Sequence, residues 1–147
     1  MSINLKRYAL IYVATVVVLM LVTTLLSLAG ITLPASLSTL LPTMMAAMTE
    51  GRQQAGTQKQ PLGWGAAWKA AIPMTVCGVA VAFTASVLFL FVAGGVRDIR
   101  IITTIGFSGW AFALILIATV TYVCNAVFLR IGLNNQLKAR AKAAAGK

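Results

Sequence analysis

The sequence predicts an all-α integral membrane protein, a four-helix bundle with both termini cytoplasmic and a second helix kinked at proline. Three observations lead there. Hydrophobic residues make up 60% of the 147 and charged residues only 10%, against about 45–50% and roughly 25% in a soluble domain. The mean hydropathy is +0.92, and so little charge cannot cover the apolar surface of a soluble monomer. The apolar residues fall into four runs, and the basic residues fall into the gaps between them.

The first run, about 8–30, follows Lys6 and Arg7. Ser27-Leu28-Ala29 resembles a signal-peptide cleavage site. A signal-peptide core is only about 7–15 residues long, whereas this run is unbroken from Tyr8 to Leu26, so it is read as a retained helix. The second run, about 32–50, is short and contains Pro34 and Pro42. Thr32 is expected to cap it, and Pro34 fits the first turn, where a missing N–H costs nothing. Pro42 falls mid-helix and predicts a kink, with Ser38 and Thr39 placed to satisfy the freed carbonyl.

The stretch from Gly51 to Trp68 is polar and interrupted by Gly and Pro, which argues against a folded domain there. Trp64 and Trp68 fit an interfacial aromatic belt. Trp68, Lys69 and Pro73 form a collar where the third helix, about 70–96, is expected to start. A tight outer turn, Gly94 to Arg100, leads to the fourth helix, about 101–133. That run of 33 residues spans roughly 50 Å if helical, more than the roughly 30 Å hydrocarbon core, so its end must emerge from Arg130 onward. The basic tail, 134–147, either extends the helix along the anionic leaflet or frays. The whole chain, 1–147, reads as a single transmembrane domain with no internal repeat.

Basic residues set the orientation. With four crossings and the N-terminus inside, ten basic residues are cytoplasmic (Lys6, Arg7, Arg52, Lys59, Lys69, Arg130, Lys138, Arg140, Lys142 and Lys147), and two, Arg97 and Arg100, are outside. Omitting the second crossing gives four against eight, or eight against four when reversed. Four crossings satisfy the rule best. The net charge of +10 thus reads as topology and as attraction to anionic lipid headgroups. It does not read as nucleic-acid binding, which needs a clustered basic face.

The functional residues are few. Two cysteines, Cys77 and Cys124, and no histidine leave too few ligands for zinc, haem or an iron–sulfur cluster, so no cofactor and no metal are expected. The two thiols are placed on adjacent antiparallel helices and read as small packing groups. No ionisable residue lies in the middle of a run, which argues against a proton-coupled exporter or pump. Glu50 is the only acid on the inner side, and a carboxylate at a helix C-terminus opposes the macrodipole. Either its helix continues to about Gly56 or it has a fixed cationic partner; Arg52, Lys69 and Arg130 are the candidates. Asp98 reads as a local turn or ion-pair residue between Arg97 and Arg100. Gly78, Ala82 and Ser86 recur at four-residue spacing, a face that lets helix backbones approach closely; Gly106, Gly109 and Ala113 offer a second such face. Asn125 is the strong polar group inside a run and predicts an interhelical hydrogen bond.

The stretch Pro42-Thr43-Met44-Met45-Ala46-Ala47-Met48-Thr49-Glu50-Gly51, followed by a polar loop and Trp68-Lys69-Ala70-Ala71, resembles a family of small four-helix bacterial inner-membrane proteins with no assigned activity. The resemblance implies a bacterial inner-membrane setting and nothing about chemistry. With no nucleophile–base pair in view, the chain is expected not to be an enzyme and to have no catalytic residue. The leading expectation is a non-catalytic accessory or structural subunit of a larger membrane complex. Its partners would be other integral membrane proteins or further copies of itself. A self-associating transporter, pore or holin-like protein is the alternative, and an immunity-type protein against a pore-forming toxin is the next.

Overall fold

A computed structural model describes residues 3–32, 34–89 and 106–145, without the side chains at 35–39 and 89. Among these residues the protein is all-helical. The elements are α1 (Leu5–Leu28), α2 (Ala35–Gln54), α3 (Trp64–Phe89) and α4 (Phe107–Ala145). Three of them, α1, α3 and α4, are long and apolar enough to cross a membrane. α2 is not among them: Glu50, Arg52, Gln53 and Gln54 lower the hydropathy of its last two turns.

Local sequence explains the ends of α1. The Asn4 side chain accepts from the Arg7 backbone N–H at 3.1 Å and caps the helix. At the other end Gly30 adopts a φ of +75°, a conformation glycine enters without a Cβ penalty. The N–H of Gly30 then reaches the Ser27 carbonyl and that of Ile31 reaches Leu26, a closed Schellman turn that satisfies the last carbonyls. Thr15, Thr23 and Thr24 donate back to carbonyls four residues earlier, at 2.7–2.8 Å. Their hydroxyls are thereby hidden within an otherwise apolar helix.

Three boundaries differ from the hydropathy pattern. Thr32 does not cap α2; Pro34 occupies the N-cap with extended backbone, φ −58° and ψ 133°, and no side-chain cap forms. α3 starts at Trp64, six residues before the apolar run, so Pro73 lies inside the helix and not at its start. α4 continues through the basic tail to Ala145, because Gln, Leu, Lys, Arg and Ala there are strong helix formers and no glycine or proline intervenes before it. Its 39 residues measure roughly 58 Å. α2 is helical on both sides of Pro42. The predicted outer turn with Arg97, Asp98 and Arg100, the end of the third run and the start of the fourth lie outside the described residues.

The helices pack unevenly. The core sits at the end of the bundle that holds the start of α1, the end of α2, the start of α3 and the second half of α4. Tyr8, Tyr12, Ala46, Ala47, Ala67, Met74, Leu129 and Leu133 form it. Toward the other end the side chains face outward: Leu21 is 61% exposed, Phe112 69% and Ile115 67%. A shallow apolar groove between α1 and α3 opens there, lined by Val16, Met20, Val81 and Leu88 among others.

Candidate functional site

The polar chemistry of the described residues gathers at the packed end. Glu50, on the last turns of α2, is fully buried. Its Oε2 accepts from Arg7 Nε at 2.8 Å and pairs with a second guanidinium nitrogen of the same residue at 2.7 Å. Its Oε1 accepts from the Asn4 backbone N–H at 3.1 Å and from Gln54 Nε2 at 3.0 Å. The helix continues to Gln54 and the carboxylate also has a cation, so both conditions set by the macrodipole are met. The cation is Arg7, not Arg52, Lys69 or Arg130. Arg7 lies in the first turn of α1, and the antiparallel run of α2 beside α1 returns Glu50 to that level. Sequence order hid the pairing behind a separation of 43 positions. Such a pair adds little net stability over an apolar one, but removing one partner strands a buried charge.

A second buried network joins three helices. Tyr8 on α1 donates its hydroxyl to Asn125 Oδ1 on α4 at 2.9 Å, and Asn125 Nδ2 donates to Thr75 Oγ1 on α3 at 3.2 Å. Asn125 is fully buried. Gly78 lies beside this network: a Cβ there would meet the Tyr8 hydroxyl at 3.1 Å. Ala82, one turn on, packs against the same core, whereas Ser86 is exposed. The small-residue stripe of α3 is therefore used at its first two positions. The Thr43 hydroxyl on α2 is buried. Pro42 beside it is fully buried as well.

A close approach of α2 and α4 uses glycines that were not grouped from the sequence. A Cβ on Gly51 of α2 would collide with the Leu129 carbonyl of α4, and one on Gly132 of α4 would collide with the Met48 carbonyl of α2. The two glycines thus face each other's helix backbone and set the α2–α4 crossing. Gly106 and Gly109, singled out beforehand, are exposed, and Gly106 has open space where a side chain would go. The available signal for Gly132 was its spacing from Asn125, Leu129 and Leu133, all on one helical face.

The connection between α2 and α3 is tied to α4 by its backbone. The Leu62 N–H donates to Asn134 Oδ1 at 3.1 Å, and the Leu62 carbonyl accepts from Arg130 Nε at 3.0 Å. Arg140 Nη1 donates to the Ala55 carbonyl at 2.6 Å. Arg130 also lies over the Trp64 ring, 4.3 Å from its centre. Trp64 stacks on Trp68 with centres 6.2 Å apart, and Trp68 packs against Tyr122 at 5.1 Å. Tyr122 donates its hydroxyl to the Trp68 carbonyl at 3.3 Å.

Arg52 is exposed. Cys77 and Cys124 are free and half-buried. Among the described residues no group of three or more His, Cys, Asp or Glu side chains is placed to hold a metal ion. The strongest buried polar groups, Glu50 and Asn125, are engaged with other protein groups. What this arrangement does chemically is join helices: one ion pair between α1 and α2, one hydrogen-bonded chain through α1, α4 and α3, and one backbone clasp from the α2–α3 connection to α4. Comparison with protein-family models, with curated proteins and with solved structures finds no match for this chain.

Proposed function

We propose that the chain is a non-catalytic polytopic membrane protein that acts as an accessory or structural subunit of a larger membrane assembly. The observation that carries this reading is the use made of Glu50 and Asn125. Intramembrane and near-membrane polar groups mark transport or proton pathways when they face a cavity. Here they face neighbouring helices and hold one end of the bundle in a fixed arrangement. The outward faces of α1, α3 and α4 remain apolar, which suits lateral contact with lipid or with another membrane protein.

The bundle crosses four times and both termini are cytoplasmic. Two contacts support this: Arg7 meets Glu50, and Arg140 meets Ala55. They bring the start of α1, the end of α2 and the end of α4 to one level. If α1 crosses, α2 returns beside it. The low hydropathy of α2 is compatible with crossing because its polar side chains Thr43, Glu50 and Gln54 are buried against protein. The basic-residue count of ten against two gives the orientation.

The test is gentle detergent extraction of a copy tagged at either end from native membranes, followed by a native gel and mass spectrometry. Co-migration with a larger complex in fixed stoichiometry is expected. Migration alone or as a small homo-oligomer would refute the subunit reading and favour a self-associating pore. In sealed spheroplasts the tags should resist protease added from outside, and cleavage of either would overturn the orientation.

A further inference from the structure

A second cleft opens at the packed end, on the outer surface between the start of α1 and the start of α3. Its volume is about 410 Å³, and Ile3, Leu5, Ala66, Lys69, Ala70 and Pro73 line it. The wall is mostly apolar, and Lys69, an exposed side chain, is its one charge. Pro73 adds a second polar feature. It lies inside α3 and has no N–H, so the Lys69 carbonyl four residues earlier lacks its intrahelical donor. Lys69 and Pro73 both line the cleft. The cleft therefore combines a cation, an acceptor short of a partner and an apolar floor. α1 and α3 both start here, and Trp64 and Trp68 in the first turns of α3 are side chains suited to the headgroup level.

From this combination we infer that the α1–α3 cleft is a binding site for one anionic glycerophospholipid. The Lys69 ammonium takes the lipid phosphate, the Lys69 carbonyl accepts from a headgroup hydroxyl, and an acyl chain lies along Leu5, Ala70 and Pro73. Charge complementarity selects an anionic lipid: of the two acids in the chain, Glu50 is buried against Arg7 and does not compete for Lys69. The assignment rests on the chain crossing a membrane, and the experiment separates the two.

The full chain is reconstituted into nanodiscs of phosphatidylcholine alone or mixed with phosphatidylglycerol. Retained lipid is then counted by native mass spectrometry, and circular dichroism checks that each variant is folded. One phosphatidylglycerol is expected to stay bound in preference to phosphatidylcholine. Lys69→Gln should lower that retention roughly fivefold, the effect of one basic residue at a membrane surface. Lys142→Gln, far along α4, should leave it unchanged. Pro73→Ala keeps the charge and restores the helical donor, and it should lower retention by a smaller factor. Unchanged retention in Lys69→Gln, an equal loss in Lys142→Gln, or equal retention of both lipids would overturn the site. Displacement by millimolar glycerol phosphate would reassign it to a soluble phosphate. A chain that enters neither nanodisc would refute the membrane reading, and the site with it.

Discussion

The two ends of this bundle are built on different physics. At one end Tyr8, Glu50, Gln54, Thr75 and Asn125 are buried, and the α2 and α4 backbones approach within reach of a glycine. At the other, Leu21, Leu28, Phe112 and Ile115 face outward and the α1–α3 groove stands open. Both ends are rich in apolar residues, so apolar content does not separate them. In a bilayer, lipid tails solvate leucine as well as another helix does, and close packing and hydrogen bonds decide where helices associate. The packed end has both, whereas the hydrogen bonds of Thr23, Thr24, Ser27 and Thr84 toward the open end stay within their own helices.

The comparison can be broken most forcefully at the ion pair. Arg7→Ala leaves the Glu50 carboxylate buried without its cation and should cost about 3–5 kcal/mol. Glu50→Gln should cost less, because Arg7 is 34% exposed and can be solvated. Unfolding in mixed micelles, followed by circular dichroism, measures both. Equal stability of Arg7→Ala and wild type would remove the pair from the account. Next is the glycine crossing. Gly132→Val should cost about 3 kcal/mol through overpacking, whereas Gly106→Val at the open end should stay within about 0.5 kcal/mol. Similar losses at the two glycines would mean that the ends do not differ in packing. The smallest effect concerns the three-helix network. Asn125→Leu should cost about 1–2 kcal/mol, the range for interhelical hydrogen bonds in membranes. Ser86→Ala, on the exposed part of the same small-residue stripe, should cost nothing measurable; a larger loss there than at Asn125 would reverse the comparison.

What the sequence made legible follows the same division. Helical class, the apolar runs and the isolation of Glu50 and Asn125 were readable, because composition and an isolated polar residue in an apolar run are local signals. The partners of those residues were not. Arg7 was counted only as a topology marker, and the candidates for the partner of Glu50 were Arg52, Lys69 and Arg130. Nothing local distinguishes Gly132, which meets a carbonyl of another helix, from Gly106, which meets nothing. Helices extend beyond the apolar runs where hydropathy and helix propensity part company, and for the tail the sequence had left helix and fraying both open. Trp64 to Lys69 and Asn134 to Ala145 lie outside the apolar runs yet are helical, since Ala, Lys, Arg and Trp tolerate a helix without belonging to an apolar run.

The clasp on the α2–α3 connection has a consequence for the order of assembly. Ala55 and Arg140 are 85 residues apart, and at about 5–20 residues per second of synthesis the basic end of α4 emerges on the order of 4–17 s after the carbonyl it holds. Leu62 waits a comparable time for Asn134. During that interval α1 and α2 are already complete, and Arg7 and Glu50 are the ion pair described between them. The pair can therefore form before the last helix arrives. A ribosome stalled before Leu129 should carry a hairpin whose survival against membrane proteases depends on Arg7, a dependence that fades once α4 is in place.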